Sequence, residues 1–117
     1  SRISSAELCE HFEENKIIHR PGAYAPDSII LPDFHGSIQS IPGYEQGFFY
    51  IQDEAAQLAA LLLGPFKTGG TYLDCCAGLG GKTNSIMQLA ETHGLKIYAV
   101  EPEQRRLQKL LENRQRL

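Results

Sequence analysis

The sequence predicts an α/β fold built on one strand–helix–strand unit, preceded by the end of a small α+β unit. Three observations carry that reading. The run Thr71-Tyr72-Leu73-Asp74-Cys75 is short and mostly apolar, as buried strands of parallel sheets are. A glycine-rich turn, Gly78 to Gly81, follows it directly and opens a helical pattern. A second short run, Lys96-Ile97-Tyr98-Ala99-Val100-Glu101, comes after that helix, with another helical pattern behind it.

Taken in order, Ser4 to Asn15 is expected to be a short helix, because Ser4-Ser5-Ala6-Glu7 has the spacing of a capping box and Leu8 and Phe12 share one face. Pro21, Gly22, Pro26 and Pro32 then break regular structure repeatedly. Between them Ser28-Ile29-Ile30-Leu31 is a strand candidate, and Ser37 to Ile41, closed by Pro42-Gly43, is a weaker one. Asp53 to Leu63 is a strong helix with acids in its first turn and Gly64-Pro65 at its end. The helix after the glycine turn is expected from about Lys82 to His93, with Ile86, Leu89 and Ala90 on its buried face and Gly94 as its C-cap. The last helix carries Leu107, Leu110, Leu111 and Leu117 on one side, with Arg105, Arg106, Lys109, Arg114 and Arg116 mostly elsewhere.

Composition narrows the function classes. At 117 residues the chain has the size of one domain, and 11 basic against 14 acidic residues leave a net charge of 11 − 14 = −3. That balance is too mild for wholesale coating of nucleic acid. A 42% hydrophobic and 21% charged content is globular and argues against disorder. The longest strongly apolar stretch, Leu58 to Leu63, is far short of the roughly 20 residues that cross a bilayer. No charged-then-apolar N-terminus with a cleavage site is present, so secretion is not expected. Three cysteines, Cys9, Cys75 and Cys76, make a poor disulfide framework and fit a reducing, cytoplasmic setting. No metal site is expected, since there is no Cys-x-x-Cys and His11, His19, His35 and His93 are scattered.

The chemistry concentrates at Leu73 to Thr83. Glycines in a turn at the carboxyl edge of a strand leave no Cβ between backbone and ligand, and the amides of a helix start suit a carboxylate or phosphate. Cys76, Ala77, Gly78, Leu79, Gly80, Gly81 and Lys82 are therefore the candidate cofactor-binding residues. Glu101, 20 residues beyond Gly81 and at the end of the next strand, joins them as an acceptor for ribose hydroxyls. A phosphate loop would fit Gly81-Lys82-Thr83 but needs glycine where Cys76 stands. A dinucleotide fingerprint from Gly78 needs Gly or Ala where Thr83 stands. Asp74, just before the turn, is badly placed against a pyrophosphate but tolerates or favours a cationic ligand, and the sulfonium cofactor S-adenosylmethionine is such a ligand; a phosphate loop and a plain strand–helix turn are the alternative readings. Asp74 would face the cofactor's amino group, loop amides its carboxylate, and Glu101 its ribose.

Leu73-Asp74-x-Cys76-Ala77-x-x-Gly80-Gly81-Lys82-Thr83 resembles the cofactor loop of the Nop/Sun family of RNA cytosine-5 methyltransferases. The upstream segment Gly47 to Leu58, with Gln52-Asp53-Glu54-Ala55-Ala56-Gln57, is similar to the family's segment before that loop, as is Ile38 to Gly47. Ala99-Val100-Glu101 and the helix from Arg106 to Asn113 match its second strand and helix. Two departures stand out. The family usually has Ala-Pro where this chain has Gly78-Leu79, which predicts a softer loop for the same ligand, and Asp where it has Glu101.

The resemblance implies a class I, Rossmann-like methyltransferase domain. Residues 1–47 would be the end of an N-terminal, ferredoxin-like RNA-binding subdomain with its linker, and residues 48–117 the N-terminal half of the cofactor-binding domain. It implies methyl transfer from S-adenosylmethionine to carbon 5 of cytosine in structured RNA, ribosomal in preference to transfer RNA, with no membrane partner. The family's catalytic cysteines belong to later motifs, beyond Leu117, so no residue of this chain is assigned a catalytic role. Cys76 is expected as a small buried side chain beneath the loop. The basic stretch from Arg105 to Arg116, interleaved with Glu112, and Tyr24, Phe34, Tyr44, Phe48 and Phe49 are each read first as solvated surface or core and second as RNA contacts. Two parallel strands cannot form a covered sheet alone, so the chain is expected to be part of a longer protein.

Overall fold

A computed structural model describes residues 3–90 and 93–117, which form two compact units. The first comprises residues 1–54 with Arg116 and Leu117, and the second residues 55–115.

In the first unit, α1 (Ser5–Glu14) begins with the expected capping box. The Ser4 hydroxyl accepts from the Glu7 amide at 3.2 Å, and the Glu7 carboxylate accepts from the Ser4 amide at 2.7 Å. Two orphan donors of the first turn are thereby satisfied. Leu8 and Phe12, one turn apart, bury themselves with Ile41, and Ile17, Ile29, Leu31, Phe34, Phe48 and Phe49 pack around them. Strand β1 (Arg20–Pro21) pairs antiparallel with β2 (Ile29–Ile30), Arg20 opposite Ile30 and Pro21 opposite Ile29. The expected strand is thus present but short, and its partner went unforeseen because it ends on the proline that reads as a breaker.

The weaker strand candidate is corrected: Ile38–Ser40 is a 3-10 turn. Ser40 donates its amide and its hydroxyl to the Ser37 carbonyl, at 2.9 and 2.7 Å. Ile38 and Ile41 are spaced three apart, the repeat of a 3-10 turn and not of a strand, and Ile41 is driven into the core. The aromatic cluster resolves the choice between packing and surface. Phe34, Phe48 and Phe49 are core, with Phe12 and Phe49 edge to face at 5.7 Å. Tyr44 lies under the Arg116 guanidinium, 4.0 Å from its ring centre, and only Tyr24 among the five is largely open, at 77% exposure.

In the second unit, α2 (Glu54–Leu62) places Ala60 inside and ends, as expected, before Gly64-Pro65. Strands β3 (Thr71–Asp74) and β4 (Lys96–Ala99) pair in parallel, with Leu73 opposite Tyr98 and Asp74 opposite Ala99. The crossover between them is α3 (Gly81–Ala90), which buries Ser85 and Ile86. The expected run to His93 passes through residues 91–92, and these, with the side chains of Leu89 and Ala90, lie outside the described residues.

The full burial expected of the strands is corrected, since Leu73 and Tyr98 are 61% and 60% exposed. Alternate residues face opposite sides of a sheet, and α3 packs against one side of this pair. Helix α4 (Gln104–Arg116) turns inward along Leu107, Leu110 and Asn113, a three-residue spacing. Leu111, expected on that face, is exposed instead, because the inward row steps by three and passes it by.

Candidate functional site

A parallel strand pair places both strand ends at one edge, so the turn after β3 and the residues after β4 come together there. The backbone continues the pairing past the strands: the Val100 amide donates to the Asp74 carbonyl at 2.8 Å, and the Ala77 amide to the Val100 carbonyl at 3.1 Å. Seven of the eight candidate residues, Cys76 to Lys82, run without interruption through the turn and into the first residues of α3. The eighth, Glu101, is brought onto that turn, its Oε2 accepting from the Gly78 amide at 2.9 Å.

The turn is closed by the Gly80 amide donating to the Ala77 carbonyl at 2.8 Å. That closure uses φ +56 at Gly78 and φ +90 at Gly80, which glycine adopts at little steric cost. A methyl group built at Gly78 meets nothing within 4 Å, so the space above the turn is open.

Asp74 anchors both shoulders of the turn. Its Oδ1 accepts from the Cys76 amide at 3.1 Å and its Oδ2 from the Thr83 hydroxyl at 2.6 Å. Glu101 accepts a second bond, from the Glu103 amide to Oε1 at 2.9 Å, so it also shapes the start of α4. The acids expected to face a ligand are therefore part of the turn's own scaffold. Each carboxylate oxygen carries a further lone pair, and Glu101 retains capacity for a ligand hydroxyl.

The burial expected of Cys76 is corrected. Ala77 is the buried residue, at 4% exposure, while both Cys75 and Cys76 are exposed free thiols. The cause is the bond from Ala77 to Val100, which tethers the backbone one residue later than the cysteine.

The sequence reading missed α4's part in the site. The Asn113 side-chain amide donates to the Leu79 carbonyl at 3.0 Å, and Leu110 packs over Gly80. Asn113 falls three residues after Leu110, on the inward row that the folded helix adopts, and nothing local in the sequence marks the carbonyl it meets. The basic stretch also separates. Arg106 pairs with Glu103 at 2.8 Å on the surface, and Arg116 donates to the carbonyls of Tyr44 and Phe49 at 2.7 and 3.0 Å, which leaves Arg105, Lys109 and Arg114 as exposed cations.

Among the described residues no three His, Cys, Asp or Glu side chains come together as a metal site, and no helix is long and apolar enough to cross a membrane. The donor set of the turn is one of amides, carboxylates and open space. The first amides of α3 have no intrahelical acceptor, since Asn84 is the first to donate back, to Gly80 at 2.8 Å. With the positive end of the helix dipole, they suit a ligand carboxylate.

The family described as 16S rRNA methyltransferase RsmB/F matches residues 60–117. A ribosomal RNA small subunit methyltransferase B of Vibrio cholerae is 37% identical over 112 residues, covering 96% of this chain and 25% of the relative. A probable methyltransferase of the same name from Coxiella burnetii is 33% identical over 117 residues, 26% of its own length. The chain therefore spans about a quarter of the length of these curated relatives. Among solved structures, a methyltransferase homologue from Pyrococcus horikoshii superposes with a TM-score of 0.81 at 30% identity, covering 98% of this chain and 37% of that one.

Proposed function

The chain belongs to the Nop/Sun-like RNA methyltransferases, matched as 16S rRNA methyltransferase RsmB/F, and on that premise we propose that its glycine turn holds S-adenosylmethionine. The observation that carries the proposal is the junction of Glu101 with Gly78 at 2.9 Å, which sets an acid from the second strand end beside the amide-rich turn of the first. The residues fit the cofactor: open space lies above Gly78, the first amides of α3 await an acceptor, and the Glu101 carboxylate has lone pairs for ribose hydroxyls.

When bound, the cofactor supplies a methyl group made electrophilic by its sulfonium. The chain's own part is to bind and orient it. Cys76 to Lys82 line the cofactor, Asp74 contributes negative charge suited to the amino group and sulfonium, and Glu101 fixes the sugar. Residues 48–117 form the cofactor-binding half of a Rossmann-like methyltransferase domain, and residues 1–47 the end of an RNA-binding subdomain with its linker. The whole enzyme methylates carbon 5 of cytosine in structured RNA, ribosomal in preference to transfer RNA, in the cytoplasm. Cys75 and Cys76 take no part in activating the base.

The phosphate-loop reading of Gly81-Lys82-Thr83 is disfavoured by one contact. The Thr83 hydroxyl, which such a loop needs on a metal ion, donates to Asp74 at 2.6 Å. Calorimetric titration of the chain with S-adenosylhomocysteine, and separately with ATP and magnesium, tests the proposal. Binding of the first alone is the expected result. Binding of ATP alone would overturn it, and salt-dependent RNA binding without either ligand would make the chain a non-catalytic RNA module.

A further inference from the structure

The turn contains one peptide plane that glycine leaves free and another element holds. Between Leu79 and Gly80 the plane is tied at both ends: the Leu79 carbonyl accepts from Asn113 Nδ2 at 3.0 Å, and the Gly80 amide donates to the Ala77 carbonyl at 2.8 Å. Gly80 sits at φ +90, and glycine accepts the opposite sign about as readily, so on the Gly80 side the backbone sets only a small bias between the plane and its half-turned form. A half-turn would withdraw the Gly80 amide from Ala77 and put the Leu79 oxygen in its place. Leu110, 3.6 Å from a methyl built at Gly80, packs on the same plane but has no polar group with which to choose its direction.

We propose that Asn113 is a positioning residue for the cofactor turn, locking the Leu79–Gly80 peptide plane from outside the motif. The amides that precede this plane are fixed by their own neighbours, Cys76 by Asp74, Ala77 by Val100 and Gly78 by Glu101. Leu79 has no such partner on its amide among the described residues, and its carbonyl is held by α4 alone. The softness that Gly78-Leu79 brings to the loop is thus offset by a side chain 34 residues away. The consequence for ligand binding rests on the proposed cofactor reading, but the lock itself does not.

The test uses three substitutions in this chain and hydrogen exchange of the Gly80 amide followed by NMR. Asn113→Leu keeps the branching of the side chain and loses the donor; Asn113→Asp keeps the shape and sets an acceptor against the Leu79 oxygen. Lys109→Ala, on the exposed side of the same helix, is the control. Loss of one neutral hydrogen bond predicts Gly80 exchange about five- to tenfold faster in Asn113→Leu, and at least as fast in Asn113→Asp. Exchange of the Val100 amide, which reports the strand pairing, should stay unchanged, as should both amides in Lys109→Ala. Unchanged Gly80 exchange would overturn the proposal, and so would equal acceleration at Val100, which would make Asn113 a contributor to general stability.

Affinity for S-adenosylhomocysteine supplies the second arm, with a loss of about five- to tenfold expected in Asn113→Leu. Faster Gly80 exchange with undiminished affinity would overturn the claim that the lock serves the ligand. An unsubstituted chain that takes up no S-adenosylhomocysteine would remove the methyl-donor reading, while Gly80 exchange would still decide the lock.

Discussion

The Asp74 carboxylate and the Thr83 hydroxyl, nine residues apart, meet at 2.6 Å across the base of the glycine turn. The contact joins the end of β3 to the first turn of α3, so the two arms of the turn are fixed to each other independently of any ligand. Its short length is that of a hydroxyl donating to a charged acceptor.

Thr83→Val removes that donor while keeping the branched shape. A hydrogen bond to a charged group contributes about 1.5–3 kcal/mol. Urea unfolding should show Thr83→Val less stable by that amount and Thr83→Ser close to the parent. Equal stability of all three would show that Asp74 is equally well solvated without its partner.

Gly78 stands at φ +56 with open space where a side chain would begin. A substitution there meets strain without collision, so Gly78→Ala should cost about 1–2 kcal/mol of stability and Gly78→Asn less, because asparagine tolerates the left-handed region. Thermal melts of the two variants check the order, and a larger loss in the asparagine variant would contradict it.

Glu101 has two tasks in the site, one on the Gly78 amide and one proposed on the ribose. Glu101→Ala should weaken S-adenosylhomocysteine binding by about 1–3 kcal/mol, the range for leaving polar groups without their partner. Glu101→Asp, one methylene shorter, should recover part of it. Undiminished affinity in the alanine variant would remove Glu101 from the cofactor site.

Glu54 Oε1 accepts from the amides of Tyr24 and Ala25, at 2.7 and 2.8 Å, and from the Ser28 hydroxyl at 3.0 Å. The Ala25 amide first, then that of Tyr24, holds its carboxyl below the usual glutamate range. A depressed folded value means that this stabilisation is complete above the unfolded glutamate pKa of about 4.3 and fades as pH falls through the lower, folded value. Melting curves should therefore show the parent more stable than Glu54→Gln at neutral pH, with the gap closing below about pH 4. A gap that is constant down to pH 3 would exclude the charge of Glu54 as its source.

Much of the fold and of the site was legible in sequence because the parts are local. The capping box at Ser4 and Glu7, the helix after Asp53, the strand ending at Asp74 and the glycines of the turn each declare themselves within a few residues. The acid at 101 was legible as well, since a crossover of fixed length returns the chain to the same sheet edge. Readings that failed or fell short did so where turn bonds outweighed a strand pattern or where a distant partner decided the outcome. Ser37 to Ile41 became a 3-10 turn because local serine bonds and burial of Ile41 agreed on a three-residue spacing. Cys76 faces solvent because a bond from Ala77 to Val100 fixes the backbone one residue further on. Asn113 was overlooked because an asparagine in a helix carries no local signature of the carbonyl it will meet.

By itself, then, the sequence determined the order of elements from Asp53 onward, the parallel strand pairing and the chemistry available at the turn, all of which follow from periodicity, turn residues and connection length. The tertiary structure decided which groups are left over for a ligand. Asp74 and Glu101 are partly engaged by the backbone around them, and the direction of the Leu79–Gly80 peptide is fixed from α4. Hydrogen-bond saturation depends on which donors and acceptors meet in space, and one residue's identity does not specify its partner 34 positions away.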